Sequence, residues 1–401
     1  MQSPPPLDAY DFVSPPTILF GPGRSSEVGA VAAGLGAEAW LIAGGRSRVA
    51  GGGFAAIEAG IRAAGLACRI VATTAGEPTV EQVATALAAL PVAGRDHAVM
   101  IAVGGGATID LAKALAALAT NADVSGGSDP ETAVIDHLEG VGRGLPIRRP
   151  PLPLVAVPTT AGTGAEATRN AVISCPRRGF KKSMRSPLMV PRAAVIDPLL
   201  TRSCSRETTA ASGLDCITQL IESFICRFRR PLPRALVRDA LPRAVHALPR
   251  VLAAPDDLEA RAALAHGALV SGMALTNSGL GMAHGVAAAL GVECGTPHGA
   301  ACALLLPVAL RVNRDTALHD LAELGRATGC GAADDGAAAD AFIARIDELC
   351  VVAGTPRRLR DVGLARDRIG WLAENSGGAS MRGNPRELDP AALRDILEAA
   401  F

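Results

Sequence analysis

An α/β domain built on a parallel sheet, followed by an all-α domain, is the fold class this sequence predicts. Three observations carry that expectation. Before residue 200, short apolar runs alternate with Ala-rich helical stretches. Those runs are apolar throughout rather than at every second position, as in strands covered by helices on both faces. After Asp197-Pro198 the strand signals fade into long Ala/Leu-rich segments. At 401 residues the chain has the length of about two domains, each able to bury its own core. The division is expected between 1–199 and 200–401.

In chain order, the expected strands are Pro16-Thr-Ile-Leu-Phe20, Ala39-Trp-Leu-Ile-Ala43, Cys68-Arg-Ile-Val-Ala72, His97-Ala-Val-Met-Ile-Ala-Val103, Pro153-Leu-Val-Ala-Val157 and Ala193-Ala-Val-Ile-Asp197. Each is short, rich in β-branched or other apolar residues and bounded by turn formers. Beyond them, Glu207–Cys226, Leu236–Ala253 and Leu258–Leu275 carry Arg and Asp on one side of an apolar stripe and read as helices. The Pro-rich joints Arg149-Pro-Pro-Leu-Pro153 and Arg230-Pro-Leu-Pro233 are expected to be loops. No internal repeat is apparent.

Composition narrows the possible partners. Lys plus Arg equals Asp plus Glu at 39 each, so no long-range field draws the chain to nucleic acid or to a membrane surface. No stretch reaches the roughly 18 to 20 apolar residues of a membrane span, and the N-terminus lacks the basic start and apolar run of a secretory signal. Nine cysteines, odd in number and without a Cys-x-x-Cys pair, fit buried thiols in a reducing compartment better than a disulfide framework. The reading is a cytoplasmic protein acting on small molecules.

Two turns follow apolar strands. The first, Gly104-Gly105-Gly106-Ala-Thr-Ile-Asp110-Leu-Ala-Lys113, offers close backbone approach and free N–H groups at a helix start, where phosphate oxygens bind. It is not the Gly-x-Gly-x-x-Gly fingerprint, and a simple tight turn accounts for it equally well. The second, Pro158-Thr159-Thr160-Ala-Gly162-Thr163-Gly164-Ala-Glu166, adds hydroxyls to backbone donors. Two such turns in one α/β domain favour nucleotide binding over either alone.

Four residues of the second half resemble a metal site. Asp215 and Gln219 are one helical turn apart on a shared face, while His284 and His298 lie fourteen residues apart in a Gly-rich stretch. One carboxylate, one amide and two imidazoles could surround a Zn- or Fe-class cation and leave a position open, as a Lewis-acid catalyst requires. On spacing alone, a polar helix pair and two satisfied histidines remain open as the alternative.

In order and spacing, the Gly104–Lys113 run, the Pro158–Glu166 turn, Asp197-Pro-Leu-Leu, Ala211-Ser-Gly-Leu-Asp215-Cys-Ile-Thr-Gln219-Leu-Ile-Glu222, and His284 with Pro297-His298-Gly299 resemble the iron-containing (group III) alcohol dehydrogenases. The likeness runs from Phe20-Gly-Pro-Gly23 to Gly383-Asn-Pro-Arg386. It implies a Rossmann-like dinucleotide-binding domain and a helical metal-binding domain, the plan shared with dehydroquinate synthase, with the active site between them. By position, the resemblance assigns Gly104, Gly105, Gly106, Asp110, Thr159, Thr160, Thr163 and Lys181 to an NAD or NADP cofactor, with Lys182 a close second to Lys181. It assigns Asp215, Gln219, His284 and His298 to a divalent metal, Fe or Zn. Asp215, His284, His298 and Lys181 are the implied catalytic set, the substrate a small aliphatic alcohol or aldehyde, and the assembly a homodimer.

The sequence departs from the family pattern in two places. Gln219 stands where most members carry a second metal-binding His, and Ala288 where many carry a His thought to relay a proton. An amide oxygen binds a borderline metal more weakly than imidazole and brings no charge. A metal-free, nucleotide-binding homologue therefore stays open, as does a glycerol dehydrogenase-like relative. A dehydroquinate synthase would need a basic phosphate pocket, and no Lys/Arg/His set near His284 forms one. After the second strand, Gly45 replaces the Asp that many NAD-preferring members use against the ribose 2′-hydroxyl. With Arg46 and Ser47 beside it, NADP is expected to be at least tolerated, although a solvated turn would also explain Arg46.

Overall fold

The computed structural model describes residues 9–45, 53–91, 93–122 and 129–401. All six expected strands form, as β1 (Thr17–Phe20), β2 (Glu38–Gly44), β3 (Ala67–Thr74), β4 (Ala98–Gly104), β5 (Leu154–Pro158) and β8 (Ala193–Ile196). They make one parallel sheet in the order β1-β8-β5-β4-β2-β3. The central strands β4, β5 and β8 are buried along their whole length, whereas β1 and β3, at the two edges, are partly exposed. Helices cover both faces: one apolar cluster joins Trp40, Met100 and Leu115, the other Leu41, Ile101 and Ile57. Between β2 and β4 the strand order reverses, and in open parallel sheets ligands gather outside the carboxyl ends at such a point.

A further element, the antiparallel hairpin of β6 (Asn170–Cys175) and β7 (Phe180–Arg185), was not anticipated. Its β6 strand alternates buried and half-buried residues, and its β7 strand, Phe-Lys-Lys-Ser-Met-Arg, reads as a charged surface segment. Contacts from the helix Gly106–Asn121 anchor it. The buried Lys113 donates to Thr168 Oγ1 at 2.6 Å and to the Asn170 carbonyl at 3.1 Å, while Asp110 accepts from the Val172 N–H at 3.1 Å.

Every regular element after Ile196 is helical. The 3-10 helix Pro198–Ser203 spans residues 199 and 200. One expected loop is corrected: Arg230-Pro-Leu-Pro233 opens the helix Pro231–Ala253. Pro231 and Pro233 fall in the first turn, where their missing N–H groups cost no helical bond. The helix Arg206–Ile225 forms the centre of the helical half and is buried without interruption from Gly213 to Ile225. Among the described residues no helix is long and apolar enough to cross a membrane.

The turn after β5 packs directly on the helical half. Gly164, at φ +61°, lies against the helix Leu258–Asn277, and a Cβ there would come within 2.5 Å of the Ala268 carbonyl and the Gly272 amide. Both partners are backbone and cannot yield. Gly164→Ala is therefore expected to cost about 2–4 kcal/mol from left-handed strain and overpacking, read as a lowered denaturant midpoint at unchanged m-value.

Candidate active site

Because the helix Arg206–Ile225 is buried, its polar side chains need partners inside the protein. Thr218 and Ser223 find backbone carbonyls, of Leu214 at 2.7 Å and Gly279 at 3.3 Å. Asp215, Gln219 and Glu222 recur at helical spacing and share one face, which meets the helices Met282–Cys294 and His298–Asn313.

Glu222 is 2% exposed and accepts two hydrogen bonds. Its Oε1 takes the Ala283 N–H at 2.7 Å, one of the orphan donors at the start of a helix, and its Oε2 meets Nδ1 of His284 at 2.7 Å. A carboxylate can only accept there, so Nδ1 carries the proton and Nε2 is the free nitrogen. That Nε2 faces Asp215 Oδ1 at 3.3 Å, and neither buried atom has another hydrogen-bond partner. His298 Nε2 is 3.7 Å from the same oxygen, and Cys302 Sγ is 3.7 Å from His298 Nε2. Donor atoms of Asp215, His284, His298 and Cys302 all lie within 4.8 Å of one another. A tetrahedral Zn site separates nitrogen and oxygen ligands by about 3.4 Å, and by about 3.6 Å where one is sulfur. The cluster has the dimensions and the orphaned lone pairs of a cation site.

Electrostatics couples these groups closely. Burial resists charge on Asp215, yet His298 and His284 hold its carboxyl below the usual range. Burial also opposes a charged His284, but Cys302, Asp215 and Glu222 outweigh it and keep that imidazole well above its ordinary value. Burial pushes His298 down to about 4, with Lys181 adding to the effect, and pushes the Cys302 thiol up to about 12. Asp215 thus offers a buried negative charge to a cation.

Gln219 lies beside this cluster with its amide turned. Its Nε2 faces Asp215 Oδ2 at 3.4 Å and its Oε1 accepts from the Ser271 hydroxyl at 2.7 Å. The oxygen expected to ligate is engaged by Ser271. Ala288, one turn after His284, is half-buried.

At the carboxyl end of the sheet the two turns abut. Gly104 pairs with Pro158 across β4 and β5, and the Thr159 N–H donates to the Gly104 carbonyl at 3.0 Å. Thr160 lies over Gly105 and Thr163 over Gly106, where a Cβ would come within 2.5 Å of Thr163 Oγ1. Gly45 follows the end of β2 on the other side of β4, beside the Thr74 carbonyl. Arg46 and Ser47 lie outside the described residues. Asp110 is turned toward the hairpin, bound to Val172, and burial raises it to about 6.

Lys181 and Lys182 point to opposite faces of β7. The Lys181 side chain is 10% exposed and pairs with Glu77 at 2.6 Å, while Lys182 is exposed. Lys181 and Glu77 are both near enough to His298 to act on its charge. Glu222 and Cys302 were not singled out from sequence. The available signals were spacing alone: Glu222 falls two turns after Asp215, and Cys302 one turn after His298.

Comparison with known proteins agrees along the whole chain. The family described as iron-containing alcohol dehydrogenase matches residues 15–198, and the Fe-containing alcohol dehydrogenase family, C-terminal, matches 209–401. The chain is 32% identical to a probable alcohol dehydrogenase, EutG, of Escherichia coli strain K12, covering 96% of this chain and 92% of that one. A crystal structure of 1,3-propanediol oxidoreductase superposes with a TM-score of 0.88 at 28% identity, covering 98% of this chain and all of the other. The sulfoacetaldehyde reductase of Bifidobacterium kashiwanohense in complex with NAD+ superposes with a TM-score of 0.84 at 28% identity, covering 98% and 99%.

Proposed function

The chain belongs to the iron-containing alcohol dehydrogenase family, and from that premise we propose that it is an NAD(P)-dependent alcohol dehydrogenase, or aldehyde reductase in reverse, for small aliphatic substrates. The observation that carries this reading is the facing pair of Asp215 Oδ1 and His284 Nε2, buried 3.3 Å apart with no other hydrogen-bond partner. The two Gly/Thr turns at the sheet's carboxyl end support it. Asp215, His284 and His298 would hold a divalent cation, Fe or Zn, with Gln219 beside them. When bound, the cation supplies Lewis-acid polarisation of a substrate oxygen, and the nicotinamide supplies the hydride acceptor or donor.

The chain's own residues do the positioning. Glu222 fixes the tautomer and plane of His284, Asp215 supplies negative charge, and Gly105 and Gly106 with Thr160 and Thr163 form the seat for a pyrophosphate. With no imidazole at Ala288, Lys181 Nζ, held by Glu77 beside His298, is the proposed group for moving the hydroxyl proton. The proposal includes a division of the chain at residues 199 and 200, a homodimeric assembly and a cytoplasmic setting.

Metal analysis of the purified protein, with NADH oxidation against a panel of aliphatic aldehydes, tests the reading. One metal per chain with turnover is expected. Cofactor binding with neither metal nor turnover would establish the metal-free homologue instead. Gly45 presents no carboxylate to a 2′-phosphate, so NADPH is expected to support turnover within about tenfold of NADH, a difference of about 1.4 kcal/mol. A hundredfold preference for NADH at equal concentration would refute that expectation.

A further inference from the structure

We propose that Cys302 is a protein ligand of the metal in this chain, taking the coordination position that Gln219 leaves and making the centre an Asp/His/His/Cys site. The inference rests on the metal-dependent reading above and adds the identity of the fourth ligand.

The observations come from several directions. Cys302 is fully buried, yet its sulfur lies in a polar setting, with donor atoms of Asp215, His284 and His298 all within 4.8 Å. It also belongs to the apolar cluster of Met282, Val286 and Leu305, so it borders both settings. Its 3.7 Å separation from His298 Nε2 is close to the sulfur-to-nitrogen edge of about 3.6 Å in a tetrahedral thiolate site. His298 and Cys302 are spaced at i and i+4 on the helix His298–Asn313, so both reach the same point from one face. The unpartnered Asp215 Oδ1 and His284 Nε2 are themselves buried and face that cluster. Gln219, the alternative fourth ligand, has its oxygen on Ser271 and its nitrogen toward Asp215.

Charge and softness give the substitution a chemical sense. With Gln219 as ligand, one carboxylate would be the only anion in direct contact with a divalent cation. Thiolate coordination adds a second and brings the centre to neutrality. The S–H bond breaks as the S–metal bond forms, and the proton leaves to solvent. Thiolate with imidazole selects Zn or Co over the harder members of the series, so this chain is expected to favour Zn over Fe.

The test uses Co2+ as a spectroscopic probe on the full-length protein after stripping with a chelator. One Co per chain is expected, with a near-ultraviolet thiolate-to-cobalt charge-transfer band. That band should vanish in Cys302→Ser, with metal affinity reduced at least about tenfold, and should persist in Gln219→Ala. Cys302→Ala replaces the serine variant if the latter does not fold, and the wild-type spectrum needs no variant. Stoichiometric Co without the charge-transfer band, or a band that survives in both Cys302 variants, overturns the ligand assignment and leaves the metal centre standing. Failure to bind Co at all overturns the metal centre and the ligand with it.

Discussion

Asp215→Asn is expected to lower aldehyde-dependent NADH oxidation by about a thousandfold or more, equivalent to roughly 4 kcal/mol of barrier. Three features of its environment set the size of the effect. Oδ1 stands 3.3 Å from one imidazole and 3.7 Å from another, so it belongs to both halves of the cluster. The residue is 2% exposed, so water cannot replace it as a ligand. An amide of the same shape keeps the packing but removes the anion that a buried cation requires. Cofactor affinity, read by quenching of intrinsic fluorescence, is expected to stay within about threefold, because the Gly/Thr turns belong to other elements. The same variant should lose the gain in melting temperature on adding metal, which in the wild type corresponds to about 2.7 kcal/mol at a metal concentration a hundred times Kd. Wild-type metal content and turnover in Asp215→Asn would refute the site.

How much of this was readable from the residues depended on whether a signal was local. The buried strands announced themselves because a run such as Met100-Ile-Ala-Val103 has no polar face. The β6–β7 hairpin did not, because it is anchored by Lys113 and Asp110, 57 and 62 positions away in the chain, and β7 by itself looks like solvated surface. Pro231 and Pro233 misled for a related reason: a proline breaks a helix interior but suits a first turn, and only the course of the chain tells which applies. Asp197-Pro and Phe20-Gly-Pro-Gly23 proved to be two halves of one structural tie. Asp197 accepts from the Gly23 and Ser25 amides at 3.1 Å and from the Ser25 hydroxyl at 2.6 Å, fastening β1 to β8. At the site, Asp215, His284 and His298 do converge. Glu222 and Cys302 escaped notice because their significance is which atom they face, and spacing carries no direction.

Glu222 has the second large effect, and it acts without touching substrate or metal. Glu222→Gln keeps the volume but leaves one oxygen for two donors, the Ala283 amide and His284 Nδ1. One of them must then face an NH2 group in a buried pocket. The cost to stability is expected to be about 1–3 kcal/mol, the desolvation penalty of an unmet buried donor. The effect on function comes through the imidazole. Without the carboxylate, His284 is no longer held in the tautomer that frees Nε2, and its basicity as a ligand falls. Metal affinity is expected to drop about 10- to 100-fold, with turnover at saturating metal recovering most of the wild-type value. That recovery separates Glu222 from Asp215, whose loss no excess of metal restores. A purely structural role would lower the melting temperature and leave the metal affinity of the folded protein unchanged. Titrating both variants with metal, monitored by turnover and by thermal unfolding in parallel, distinguishes a ligand from the residue that aims one.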